Sequence, residues 1–206
     1  MVQLNNKNKE LVKAGKVIMN GGIVVYPTDT VYGIGCDPYS KKAIERLLII
    51  KERENNPLPV LFKTVNKIEE SVKLGKIGRI LSKKFWPGPL TLVCPIKKNK
   101  HEIHANLGKE ELGVRIPSNP ITLELIDKCG GMIVGTSANI SGKKSVRTIE
   151  ELDNAIIKKV DIIIDGGKTS LDLESTVIRI VNNKIELIRE GYIKFEAINE
   201  TLEDNN

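Results

Sequence analysis

Residues 23–53 read Ile23-Val24-Val25-Tyr26, then Pro27-Thr28-Asp29-Thr30, then Val31-Tyr32-Gly33-Ile34-Gly35-Cys36, and close on a helical stretch ending in Lys51-Glu52-Arg53. A β-branched run breaks at a proline followed by three small polar side chains. Thr28, Asp29 and Thr30 set two hydroxyls and a carboxylate beside backbone N–H groups freed from a sheet. Val31 to Cys36 resumes the strand pattern, and its two glycines let another backbone or a ligand approach closely. Ser40 can cap the helix that follows, whose buried stripe is Ala43, Ile44, Leu47, Leu48 and Ile50.

One more i, i+4 step from Leu47 lands on Lys51, which therefore leaves this helix on its core side. A lysine there is out of place unless an anion waits for it. Lys51 and Arg53 lie on opposite faces of a helix but on one face of an extended segment. They can serve one site only if the helix stops near Lys51. The alternative is that two cations at a helix C-terminus simply suit its dipole.

A chain of 206 residues with 40% hydrophobic side chains can bury a sizeable single core. Its net charge of +6 suits an anionic partner such as a nucleotide or RNA. Aromatics at 4% are too few for a protein that reads bases by stacking, so the charge points to phosphates. Cys36, Cys94 and Cys129 are odd in number and far apart, which indicates neither a disulfide framework nor a zinc site. No apolar run reaches the roughly 18 residues of a membrane span and no signal peptide is apparent. A reduced cytoplasm is the expected compartment.

Outward from the opening stretch, residues 8–20 read as a helix burying Leu11, Ala14, Val17 and Ile18 and stopped by Gly21-Gly22. Asn55-Asn56-Pro57 turns into strand 60–62, and helical patterns follow around 68–74 and 77–85. Trp86-Pro87-Gly88-Pro89 then starts strand 90–96. Segment 97–111 is the loosest. Its His101 and His104 lack a third ligand spaced to complete a metal site, so it reads as a solvated loop. Strand 112–116 carries Arg115, which needs a carboxylate of the protein or of a ligand if buried. Helix 120–128 and strand 132–135 lead into the hydroxyl-rich turn 136–145, a phosphate cradle or an ordinary loop.

Thr148 and Glu151 form a capping box for a helix over 149–158, and 161–164 is a buried strand. Gly167-Lys168-Thr169 is no P-loop, since Ile162 stands where the pattern needs glycine. Strands 177–181 and 185–189 make a hairpin around Asn182-Asn183, with Ile178 opposite Leu187, Arg179 opposite Glu186 and Ile180 opposite Ile185. Ser175 and Arg189 then finish at the same open end but on opposite faces, unless the ladder ends or bulges there. Strands alternating with helices, plus this hairpin, predict a single α/β domain over 1–206 with one mixed sheet, fraying at 203–206.

Seven segments in this order resemble the YrdC-like family of L-threonylcarbamoyladenylate synthases, in its short single-domain form. They are Tyr26-Pro27-Thr28-Asp29-Thr30-Val31-Tyr32-Gly33, Lys51-Glu52-Arg53, Trp86-Pro87-Gly88-Pro89-Leu90-Thr91, Val114-Arg115-Ile116-Pro117, Thr136-Ser137-Ala138-Asn139, Glu174-Ser175-Thr176-Val177 and Arg189-Glu190-Gly191. The resemblance implies a twisted, open α/β sheet around a basic concave cavity. It also implies a reaction: L-threonine, bicarbonate or CO2, and ATP give threonylcarbamoyl-AMP and pyrophosphate. Downstream proteins then transfer the threonylcarbamoyl group to a tRNA adenosine beside the anticodon, so direct contact with tRNA would be weak or absent.

By the same resemblance Lys51, Arg53, Ser137 and Asn139 form the catalytic set. ATP is held by Lys51, Arg53, Asn56, Ser137, Ser145 and Arg189, and threonine by Thr30, Arg115 and Ser175. Mg2+ arrives with ATP and no protein metal cage is implied. Some positions depart from the two-domain members. The loop after Arg53 is one residue shorter, so Asn56 is matched through Pro57. Leu61 stands where those members carry a histidine, and Glu111 where a threonine near the nucleotide is usual. Two rivals share the fold: a non-catalytic RNA- or nucleotide-binding module, and a sister enzyme with another carbamoyl substrate.

Overall fold

A computed structural model describes residues 2–54, 56–97 and 102–205, with the side chains of 2–7 left aside. His101 and Asn55 lie outside the described residues. The strands are β1 (Val24–Tyr26), β2 (Gly33–Gly35), β3 (Val60–Phe62), β4 (Leu90–Pro95), β5 (Glu111–Arg115), β6 (Met132–Val134), β7 (Thr136–Ser137), β8 (Ile162–Ile163), β9 (Thr176–Val181) and β10 (Lys184–Arg189). The α-helices are α1 (Val2–Met19), α2 (Lys41–Lys51), α3 (Val65–Ser71), α4 (Gly75–Phe85), α5 (Pro120–Lys128), α6 (Asn154–Ile157) and α7 (Phe195–Glu203).

The strands form two open mixed sheets where one is expected from the sequence: β7-β2-β1-β8, and β10-β9-β4-β5-β3-β6. The chain changes sheet in the run 132–137, where β6 gives way to β7 across Gly135. A Cβ on Gly135 would sit 2.3 Å from Leu61 Cγ, so only glycine lets the strand make this crossing. Gly35 serves the same junction from the other side, because its Cβ would fall 1.8 Å from the Val134 carbonyl oxygen. The close approach allowed by the opening stretch is thus to the protein's own backbone at this position.

The larger hydrophobic cluster joins Ile34, Leu47 and Phe62 to Trp86, Leu92 and Ile178. A second cluster packs Leu11, Ala14 and Ile18 of α1 against Leu125 and Ile126 of α5. Val17, expected in that stripe, is half-buried. Each fully buried Leu or Ile contributes on the order of 2 kcal/mol to docking α1.

The hairpin keeps its predicted ladder and adds one irregularity. Asn182 and Asn183 both take positive φ, 49° and 58°, the backbone a two-residue turn between twisted strands requires. Leu187 faces Ile178, but Arg189 faces Val177, so Ile188 is an extra residue in β10. This bulge moves Arg189 to the face that alternation would deny it. The helix expected over 149–158 is broken: a 3-10 turn at Ile149–Glu151 precedes α6, whose cap is Asp153. Glu151 accepts from Arg147 N at 2.7 Å, one residue before Thr148, so the capping box does not close. At the C-terminal end Glu203 closes α7 and the Asp204 amide bonds Glu200 O at 3.0 Å, while Asn206 lies outside the described residues.

Candidate active site

A cavity of about 900 Å³ is lined from both sheets. The loop before β2 contributes Thr28 and Thr30, the segment leading to β3 contributes Arg53 and Asn56, β3 contributes Leu61, and β7 contributes Thr136 and Ser137. The six-stranded sheet supplies Thr91, Glu111, Arg115, Ser175, Arg179 and Arg189. A smaller cavity of about 410 Å³ shares Val31 and Glu174 with it and holds Ser145.

Helix α2 ends at Lys51, and Glu52 caps it in the left-handed region at φ 50°. The Arg53 amide bonds back to Leu48 O at 3.0 Å. This reversal lets Arg53 reach the cavity, where Nη1 lies 3.4 Å from Thr136 Oγ1 and Nη2 donates to Pro57 O at 3.2 Å. Burial lowers the Arg53 pKa, and nearby Arg189 lowers it further.

Lys51 behaves differently from its neighbour. It is 2% exposed and donates from Nζ to the carbonyls of Ser137 and Asn139. The Lys51 carbonyl in turn accepts from Ser141 N at 2.9 Å. The lysine is therefore a buried brace behind the 137–141 turn and does not line the cavity beside Arg53, as a shared extended face would have had it. Burial, with Arg53 adding to it, lowers its pKa to about 8. Asn139 also faces away from the cavity: Nδ2 donates to Ile140 O at 3.2 Å and Lys143 O at 2.5 Å, and buried Oδ1 has no hydrogen-bond partner among the described residues. Of the Ser137–Asn139 pair, only Ser137 is a wall residue.

Arg115 is 5% exposed and finds its carboxylate within the chain, as Nη2 meets Asp29 Oδ1 at 2.6 Å. Nε donates to Gly88 O at 2.9 Å and Nη1 to Thr30 Oγ1 at 3.2 Å. Three of five guanidinium N–H groups are thus spoken for, which leaves one on each terminal nitrogen. Among the described residues Asp29 Oδ2 has no hydrogen-bond partner.

At the open end of the hairpin the bulge unites what alternation separated. Arg189 Nη2 donates to Ser175 O at 2.8 Å and lies 3.4 Å from Ser175 Oγ, which is 2.9 Å from Thr91 Oγ1. Arg189 Nη1 pairs with Glu174, whose other oxygen accepts from Ser145 Oγ.

The family model described as telomere recombination, Sua5/YciO/YrdC, matches residues 16–191. The chain belongs to the Sua5/YciO/YrdC family. A Methanocaldococcus jannaschii protein is 39% identical over 193 residues, covering 93% of this chain and 90% of its own length. The Bacillus subtilis threonylcarbamoyl-AMP synthase is 31% identical over 95% of this chain. The Pyrococcus abyssi Sua5 structure complexed with L-threonine superposes with a TM-score of 0.88 at 33% identity, over 95% of this chain. This chain spans 57% and 58% of those last two proteins.

Within this Sua5/YciO/YrdC domain, the geometry brings together Thr30, Arg53, Asn56, Arg115, Ser137, Ser175 and Arg189 around one cavity. It sets Lys51 and Asn139 behind the wall and Ser145 in the adjoining cavity. Two acidic residues went unassigned in the sequence reading. Asp29 is a carboxylate of the opening stretch and Arg115 an arginine in need of one, but nothing in the sequence joins the two, and Glu174 stands in a family segment beside Ser175 without a role. Leu61 lines the cavity as an apolar side chain, and Glu111 pairs with Arg179, its Oε2 3.0 Å from Nε. His104 opens a 3-10 turn, and among the described residues no group of three His, Cys, Asp or Glu is placed to hold a metal. No helix among them is long and apolar enough to cross a membrane.

Proposed function

We propose that this chain is an L-threonylcarbamoyladenylate synthase, acting in the cytoplasm and supplying threonylcarbamoyl-AMP to proteins that modify tRNA. The observation that carries the proposal is one cavity lined by two kinds of group: Arg53 and Arg189 with Ser137, and Arg115 with Thr30, the two meeting where Arg189 bonds Ser175. The first group suits a polyphosphate and the second an amino acid. Family membership and the threonine carried by the P. abyssi relative support an amino acid as one of the ligands.

Threonine's amine captures CO2 as a carbamate. A carbamate oxygen then attacks the α-phosphorus of ATP, a P–O bond forms to it, and the bond to the β-phosphate oxygen breaks to release pyrophosphate. No protein nucleophile is required, so the chain contributes positioning and charge neutralisation. Arg53 and Arg189 take phosphate oxygens, with Asn56, Ser137 and Ser145 donating hydrogen bonds. Lys51 adds its charge from behind the turn while its two carbonyl bonds hold Ser137 in place, and Asn139 fixes the same turn. Arg115 offers its two unused N–H groups to the threonine carboxylate, and Thr30 and Ser175 hold the amino-acid side. Mg2+ would be carried by the ATP phosphates, since Glu174 already spends both oxygens on Ser145 and Arg189.

The deciding experiment follows AMP-linked product and pyrophosphate from ATP while threonine and bicarbonate are omitted in turn. Pyrophosphate release should need both. Equal turnover without an amino acid would make the protein an ATPase, and threonylcarbamoyl-AMP itself should appear only in the complete mixture.

A further inference from the structure

Four arginines line the main cavity: Arg53, Arg115, Arg179 and Arg189. Three have carboxylate partners, namely Asp29 for Arg115, Glu111 and Glu186 for Arg179, and Glu174 for Arg189. Among the described residues no carboxylate pairs with Arg53. The three partners are not equivalent. Asp29 is buried with Arg115, and its side chain is 3% exposed. Glu111 and Glu186 hold an arginine assigned no phosphate. Glu174 alone holds two groups proposed for ATP, Arg189 through one oxygen and Ser145 through the other. It also lines both cavities at their junction. Its charge is felt beyond those contacts, since it acts to raise the pKa of Lys51 and of Arg53 against the lowering effect of burial.

A polyphosphate entering this corner meets a carboxylate among the cations it seeks. Like charges at hydrogen-bond range repel in a partly buried site, and the same arginine N–H cannot serve two acceptors equally well. We propose that Glu174 is a built-in competitor for the phosphate-binding cations, which weakens retention of pyrophosphate and so speeds its departure after the phosphoryl bond has been broken. Phosphate groups take Arg189 and Ser145 from Glu174 on entry, and Glu174 takes them back as the anion leaves. The cost falls on binding of ATP and product alike, and the benefit is turnover wherever release limits the rate. This inference rests on the nucleotide reading of the cavity.

The test uses the full chain and inorganic pyrophosphate as probe, titrated calorimetrically with EDTA present. Glu174→Gln keeps the size, removes the charge and leaves one acceptor oxygen for two donors, and should bind pyrophosphate about ten-fold tighter than the wild type. Glu174→Asp keeps the charge and should stay near wild-type affinity. Stopped-flow release of pyrophosphate should slow in the Gln variant, with threonine affinity unchanged. Unchanged or weaker pyrophosphate binding by Glu174→Gln, with its threonine binding intact, overturns the inference and makes Glu174 a support for Arg189. Should the Gln variant fail to fold, Glu174→Ala gives the same reading of charge. Failure of wild type and every variant to bind pyrophosphate would instead overturn the nucleotide reading, and the inference with it.

Discussion

Asp29 grips Arg115 inside the fold, Oδ1 to Nη2 at 2.6 Å, across 86 residues of sequence. The pair orients the guanidinium, whose two unclaimed N–H groups are the fork proposed for the threonine carboxylate. Arg115→Lys keeps the charge and loses the fork, so threonine affinity should fall far more than ATP affinity. Calorimetry with each ligand separately decides it, and a selective loss of ATP binding would move Arg115 to the nucleotide side. Asp29→Asn leaves a buried cation without its counter-charge and should cost roughly 3 kcal/mol of stability by urea denaturation.

Serine tests the opposite face of the same ligand. A pocket filled by threonine's methyl group loses about 1–3 kcal/mol of discrimination without it. Pyrophosphate release with serine should therefore show a kcat/KM at least several-fold lower than with threonine. Equal values would mean that the methyl group meets nothing.

The signals legible in the sequence were periodic or local. The i, i+4 step placed Lys51 in the core, and strand alternation set the Ile178–Leu187 and Ile180–Ile185 pairs. Whatever depends on one residue's geometry was not legible. The extra residue at Ile188 is invisible in an apolar-alternating strand, yet it alone brings Arg189 to Ser175. Division into two sheets rests on close packing at Gly135 and Gly35, where an added Cβ would meet Leu61 or Val134, and neither contact is local in sequence. Asn139 kept its place in the motif but turned its amide onto Lys143 O, because the turn's carbonyls needed donors more than the cavity did.

Lys51 should be visible in the pH dependence of stability. Its folded-state pKa of about 8 lies below the ordinary 10.5, so between those values the unfolded chain binds more protons than the folded one. Stability contributed by this group therefore rises with pH across that window, and the cost of burying the ammonium is present in full below it. Burial also raises the Cys36, Cys94 and Cys129 thiols to about 12, which makes stability fall with pH over part of the same window. Lys51 is therefore read as a difference: between about pH 8 and 10.5, urea titrations of Lys51→Met should lack the rising contribution that the wild type has. An anion in the cavity raises the lysine's pKa, so pyrophosphate binding near pH 8 should take up protons in the wild type and not in Lys51→Met. Calorimetry in buffers of different ionisation enthalpy measures that uptake.

The net charge of +6 bears on tRNA. If the excess serves a nucleotide cavity, tRNA should bind weakly, without sequence preference, and with affinity falling steeply as salt rises. Filter binding between low and physiological salt distinguishes this from a tight, salt-resistant complex, which would favour an RNA-binding module.

Arg53 is the cavity arginine without a carboxylate among the described residues, and it gets there by a left-handed step at Glu52. The side chain makes a 3.2 Å bond to Pro57 O and a long contact to Thr136, and burial together with Arg189 disfavours its charged form. Replacing it therefore removes little packing and relieves a repulsion. Arg53→Ala should leave the unliganded thermal midpoint unchanged or slightly higher while ATP affinity falls by about ten-fold or more, the loss of one charge-assisted contact. Phosphate, pyrophosphate and ATP should each raise the wild-type midpoint, in increasing order of charge, because they bind the folded state alone. That order should flatten in Arg53→Ala. Glu52→Gly, which suits φ 50° better than glutamate does, should stabilise the chain by up to about 1 kcal/mol without touching ATP affinity. Differential scanning fluorimetry with each anion reads the wild type and both variants together. A drop in the unliganded midpoint of Arg53→Ala as large as that of Asp29→Asn would mark Arg53 as structural, held for Pro57 and Thr136 and not for phosphate.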